Sequence, residues 1–243
     1  MSANPPAPAN VSLRLDAERI VETVERLSRR ISERFPESGL SRLGIDLLDV
    51  ARHTQEHLDE IARPILWLRT GSWLMAALLV VGAIAAFGAV LAAIPEGFES
   101  PLEAVQVLEA GIQDVVFVGF ALVFLVTAEN RLRRRQALGF IRELRALAHI
   151  VDMHQLTKDP DRLFHPVRDT ASSPERVLTR DELGRYLDYC SEILSLTSKL
   201  AALYAERFND AVVLQAVDEV EALTSGLSNK LWQKIMILDQ AHG

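Results

Sequence analysis

The sequence predicts an all-α membrane protein: a two-span transmembrane helical hairpin flanked by cytosolic antiparallel helical bundle or coiled-coil segments. Three observations predict it. Residues 73–94, WLMAALLVVGAIAAFGAVLAAI, run for 22 positions without a charge, which at about 1.5 Å rise per residue covers the roughly 30 Å of a bilayer core. A second apolar run, VVFVGFALVFLVT over 115–127, follows a short acidic stretch. On both sides of this pair, apolar residues recur at steps of four and three, the period of helices that bury one stripe. No stretch holds the alternation of a strand for long.

Taken in chain order, residues 1–10 are polar and proline-bearing and read as a disordered tail. The segment 11–66 reads as a cytosolic helical hairpin. Its first helix carries Leu13, Ala17, Ile20, Val24, Leu27 and Ile31 along a narrow coiled-coil seam, and Pro36 closes it. Its second carries Leu43, Leu47, Ala51, Thr54, Leu58, Ile61 and Ile65, with a bend expected at Pro64. The two helices are joined by PESG and can pack antiparallel.

The first transmembrane helix is 73–94. An acidic outer loop is expected over 95–109, and the second span over 110–127. Charge sets the orientation: Arg63 and Arg69 precede the first span, Arg131, Arg133, Arg134 and Arg135 follow the second, and 95–114 holds five acids and no Lys or Arg. Both termini are therefore expected on the cytoplasmic side. Trp67 and Trp73 stand where interfacial aromatics belong. The arginine run either touches anionic headgroups or simply holds topology, and it is read as the topology signal. Within the first span, Ala85, Ala89 and Ala93 repeat at four, which lets helix backbones approach closely.

The C-terminal cytosolic domain is 128–243. It opens with a long helix whose stripe is Phe140, Leu144, Leu147, Val151 and His154, and passes into a proline-rich loop over 158–175. Thr179 and Glu182 form a capping-box pattern. They open a helix with Leu183, Leu187, Cys190, Leu194, Thr197, Ala201, Tyr204 and Phe208 at strict 4-3 spacing. Asn209 and Asp210 mark a turn, and a last helix carries Val213, Val217, Val220, Leu227, Leu231 and Leu238.

Candidate chemistry is sparse. In HTQEH, 53–57, the residues His53, Glu56 and His57 match the HxxEH pattern, in which two histidines bind zinc and the glutamate activates water. Over these few residues the segment resembles the inverzincin peptidases. The resemblance implies a further downstream glutamate ligand, a place Glu129 takes here, but a membrane hairpin stands where those enzymes have a soluble domain. A second cluster, His149, Asp152 and His154, offers metal ligands, although His149 and His154 are five apart and diverge around a helix. Gln106, Glu109 and Gln113 share a helical face, with Glu103 one step back and Asp114 at the edge of the second span. In an oligomer that face would line an outer vestibule or pore.

Cys190 is the only cysteine, so an intramolecular disulfide and a multi-cysteine zinc site are excluded. No phosphate loop or nucleophile elbow is present, no catalytic residue is assigned and no cofactor is expected. Nucleic-acid binding needs a broad basic face with stacking groups, and the one basic segment is the stretch after the second span. The reading is an integral membrane scaffold, sensor or regulatory protein. It acts through its cytosolic bundle, with the lipid bilayer, its own copies or a cytosolic protein as partners. A homo-oligomeric ion channel with an acidic outer vestibule is the alternative, and a zinc-dependent membrane hydrolase using HTQEH is the third. Arg outnumbers Lys by 22 to 4, a bias of high-GC bacterial genomes, so the expected location is a bacterial cytoplasmic (inner) membrane.

Overall fold

Asp16 starts the first helix. Its carboxylate accepts hydrogen bonds from the backbone N–H groups of Glu18 and Arg19, satisfying donors that a helix start leaves open. From that cap α1 runs over Ala17–Arg34 and ends at Phe35, just before Pro36. The computed structural model describes residues 15–62, 66–93, 101–160, 171 and 178–240, and among them are six helices and no strand. After α1 come α2 (Gly39–Ala62), α3 (Leu66–Ala93), α4 (Pro101–Leu156), α5 (Arg180–Arg207) and α6 (Ala211–Gln240). The expected tail at 1–10, the bend at Pro64, the outer loop from 95 to 100 and nearly all of the 158–175 loop lie outside the described residues.

The chain divides into two units, one of residues 1–60 and 137–243, the other of 61–136. The first is a bundle of α1, most of α2, the last part of α4, α5 and α6. Its helix directions follow from polar contacts. The backbone N–H of Leu15 donates to Glu206 Oε1 at 3.1 Å and Arg30 pairs with Glu192 at 2.6 Å, so α1 runs antiparallel to α5. Arg145 pairs with Glu219 at 3.0 Å and Lys234 Nζ donates to the Gln155 carbonyl at 2.8 Å, so α4 and α6 run parallel. At the α1–α2 turn, Ser38 Oγ donates to the Phe35 carbonyl and accepts from the Ser41 N–H, while Glu37 takes a left-handed φ of 59°.

Most of the predicted stripe residues are core, while Ala17, Phe140 and His154 are half-buried and the side chains of Leu13, Ile61 and Ile65 lie outside the described residues. Ile20, Val24, Leu27 and Ile31 of α1, Leu43, Leu47, Ala51, Thr54 and Leu58 of α2, and Leu144, Leu147 and Val151 of α4 are all buried. In α5 the buried set is wider than the 4-3 stripe, because Tyr186, Tyr189, Ile193, Leu196, Leu200 and Leu203 are buried as well. The reason is position: α5 meets α1 through Arg30 and Glu192, α4 through the Phe140–Tyr204 ring stack, and α6 along its length. A helix enclosed this way buries most of its circumference. The stripes are thus covered within one chain, in a multi-helix bundle rather than in the narrow coiled-coil seam expected for α1.

In the second unit α4 begins at Pro101, so residues 101–109, expected as loop, are helical. Proline suits a first helical position, where its missing N–H costs nothing. Large apolar side chains stand exposed along both helices, among them Leu74, Ile84 and Phe87 of α3 and Val115, Phe120 and Phe124 of α4. Among the described residues no helix is long and apolar enough to cross a membrane.

Candidate functional site

At the end of the bundle formed by the α1–α2 turn, three chain segments far apart in sequence enclose a cleft of about 630 Å³. Arg34, Phe35 and Gly39 come from the turn and the helix ends beside it, Met153, His154 and Lys158 from the end of α4, and Glu182 and Tyr186 from the start of α5. Each is placed by a local device. Phe35 packs edge-on to Tyr186 at 5.6 Å between ring centres and to Tyr189 at 6.2 Å, which fixes the turn against α5. Lys158 Nζ lies 5.5 Å from the centre of the Tyr186 ring. Lys234 of α6 donates to the carbonyls of Gln155 and Lys158 at 2.8 and 3.2 Å, closing the C-terminal end of α4 with a cation where the helix dipole is negative.

Gly39 is glycine for a packing reason. A Cβ at this position would collide with the imidazole of His154, so the ring lies directly on the backbone at the start of α2. At the opposite wall Glu182 completes the predicted capping box. Its Oε2 accepts from the Thr179 N–H and hydroxyl, both at 2.8 Å, and the Glu182 N–H donates back to Thr179 Oγ1. The Thr179 N–H, then its hydroxyl, and last the Arg34 charge hold this carboxyl below its ordinary value. Burial pushes the Tyr186 phenol upward. It also pushes the neighbouring Cys190 thiol up to about 12, against the pull of Lys234 and Lys158, and a thiol kept protonated is a poor nucleophile. Lys234 is lowered by its own burial, with Asp159 and Asp152 opposing.

The residues singled out by sequence are scattered. His53 and His57 each place Nδ1 on the carbonyl four residues back, at 2.8 and 2.9 Å, so Nδ1–H donates there and Nε2 is the remaining nitrogen. The His57 ring packs on Phe140 at 4.0 Å, so one of the two imidazoles serves the apolar contact between α2 and α4. The side chain of Glu129 lies outside the described residues. Asp152 accepts from Gln155 Nε2 at 2.6 Å, His149 is exposed, and His154 turns to Gly39. Among the described residues no group of three His, Cys, Asp or Glu side chains is placed to hold a metal ion.

No protein-family model matches the chain, and no curated protein or solved structure matches it either. The functional reading therefore rests on geometry and chemistry.

Gln106, Glu109 and Gln113 are exposed on α4, while the side chains of Glu103 and Asp114 lie outside the described residues. Arg131 sits 5.8 Å from the Phe124 ring centre; Arg131 and Arg135 are exposed, and Arg133 and Arg134 are half-buried. Sequence reasoning reached His154 and Glu182 of the cleft but not Arg34, Gly39, Lys158 or Tyr186. One signal for them was available: Arg34 and Lys158 both stand at helix ends beside prolines. A second, smaller groove of about 280 Å³ lies between α5 and α6, lined by Ser195, Ser198, Lys199, Ser228 and Trp232. Lys199 Nζ donates to Ser195 Oγ at 2.6 Å within α5. Both are helix neighbours four residues apart, an ordinary surface pairing.

Proposed function

We propose that this protein is an integral membrane scaffold, sensor or regulator: the spans 73–94 and 110–127 lie in a bilayer, and the helical bundle on the cytoplasmic side acts by self-association or by binding a protein partner. One observation carries the reading. Side chains that belong in a core are exposed along α3 and the early part of α4, with Leu74 and Phe120 each 72% and Val115 70% accessible. So large an apolar surface on a soluble protein invites aggregation, whereas hydrocarbon covers it without cost. The uncharged run 73–94, the five acids of 95–114 and the arginines of 131–135 support the same placement and orientation. The Arg131–Phe124 pair suits a cation reaching from apolar surroundings toward headgroups.

Fractionation tests it. Cells expressing the protein are lysed and the membranes washed in alkaline carbonate. The chain is expected to stay in the pellet and to be released by detergent alone; release by carbonate would sink the reading. A homo-oligomeric channel is the second reading, favoured by the exposed amide and carboxylate side chains of Gln106, Glu109 and Gln113 on one face of α4. Purified protein in vesicles that never carries an ion flux would remove it.

A further inference from the structure

The described residues lining the end cleft include two cations and one carboxylate. Arg34 and Lys158 both line it, and neither makes an ion pair among the described residues. Elsewhere on the bundle Arg26, Arg29, Arg30 and Arg145 each meet a carboxylate. The one acid among the described lining residues, Glu182, is already engaged by the N–H and hydroxyl of Thr179. Its charge serves the start of α5 and is felt by Arg34, and the Lys158 ammonium lies on the Tyr186 ring, but neither cation meets a carboxylate in ion-pair geometry among the described residues. A concave wall of low dielectric concentrates the field of such cations.

The same cleft offers apolar surface beside the charge. Met153 is 64% exposed, and Pro36, Leu178, Phe35 and Tyr186 line the cleft with it. The His154 ring, seated on Gly39, lines the same cleft. A volume of about 630 Å³ lies inside the ~300–1,000 Å³ of small-molecule sites. Guanidinium and ammonium groups near one another are the usual partners of a phosphate or carboxylate.

We infer that the cleft binds a small amphipathic anion, a flat apolar group bearing a terminal oxyanion, with its charge between Arg34 and Lys158 and its apolar part against Met153 and the Phe35–Tyr186 floor. This gives the bundle a ligand class. It does not rest on the membrane reading, since a chain released by carbonate would keep the same cleft.

The test uses the full chain in detergent micelles and 4-fluorophenyl phosphate as probe, followed by 19F relaxation of the ligand. Binding is expected with the unaltered protein. It should weaken at least tenfold in Arg34→Gln and in Lys158→Met, be lost in the double variant, and be unchanged in Arg207→Gln at the far end of α5. Gly39→Ala, which displaces the His154 ring, should also weaken it. Relaxation that is absent at millimolar probe, or identical in the double variant, overturns the proposal. Displacement of the probe by inorganic phosphate as readily as by phenyl phosphate overturns it too, because the apolar wall would then contribute nothing.

Discussion

Two hydroxyls at the centre of the bundle are buried with no hydrogen-bond partner among the described residues: Thr54 Oγ1 on α2 and Tyr204 Oη on α5. Burial pushes the Tyr204 phenol up to about 12, and the nearby Thr54 hydroxyl pulls it back without meeting it in bonding geometry. A buried polar group with no partner costs about 1–3 kcal/mol. The double variant Thr54→Val/Tyr204→Phe is therefore expected to unfold at the same or a higher denaturant midpoint, and a clear drop would show that the two hydroxyls bond in solution. The same burial fixes an alkaline response. Cys190 rises from 9.0 to about 12 and Tyr204 from 10.0 to about 12, while Tyr186 moves the same way. Each folded-state value lies above the unfolded one, so the unfolded chain loses its proton first and stability falls as pH climbs from about 9 toward 12. Lys234, lowered in the folded state, opposes this just below its unfolded value of 10.5. Denaturation at stepped pH is expected to show the net fall, with its earliest part removed in Cys190→Ala.

At the scale of elements, α5 holds the bundle together. Leu194 is fully buried on it, so Leu194→Ala is expected to cost about 2–5 kcal/mol. Val212→Ala at the start of α6, where the side chain is 45% exposed, should stay within about 0.5 kcal/mol. Equal losses in urea unfolding would contradict the central place of α5. The cap and one stripe of this helix were legible, because Thr179, Glu182 and the 4-3 spacing follow local rules that need no partner. The second stripe was not. Tyr186, Tyr189, Ile193 and Leu196 are spaced no less regularly, but only the number of neighbouring helices decides whether one face or two are covered. The α4 start at Pro101 was missed although Gln106, Glu109 and Gln113 already read as one helical face, because the acids of 95–109 read as an outer loop.

At the scale of the whole chain, the all-α class was legible from period alone, and the apolar runs and their flanking charges were plain. The end cleft was not, since its walls come from residues 34–39, 153–158 and 178–186, and no local pattern says that these three chain segments converge. The stripes of the bundle are covered within one chain, so any larger assembly must be held by other surfaces. The exposed Trp232, Met236 and Ile237 of α6 are available for it. Light scattering of the detergent-solubilised protein, corrected for bound detergent, is expected to give a monomer if those surfaces await a separate partner. A discrete oligomer would assign them, or the α3 and α4 surfaces, to contacts between copies.

The ring contact between His57 and Phe140, 4.0 Å between centres, has a topological consequence. It holds the last turn of α2 within the bundle beside the first turn of α4 to enter it, so the chain leaves this unit and returns to it through one doorway. Residues 61–136 are in that sense an insertion into a bundle that is discontinuous in sequence but closed in space. A few residues of glycine and serine would bridge the doorway, and a chain so joined would keep the cleft at its opposite end and the whole of α5 at its centre.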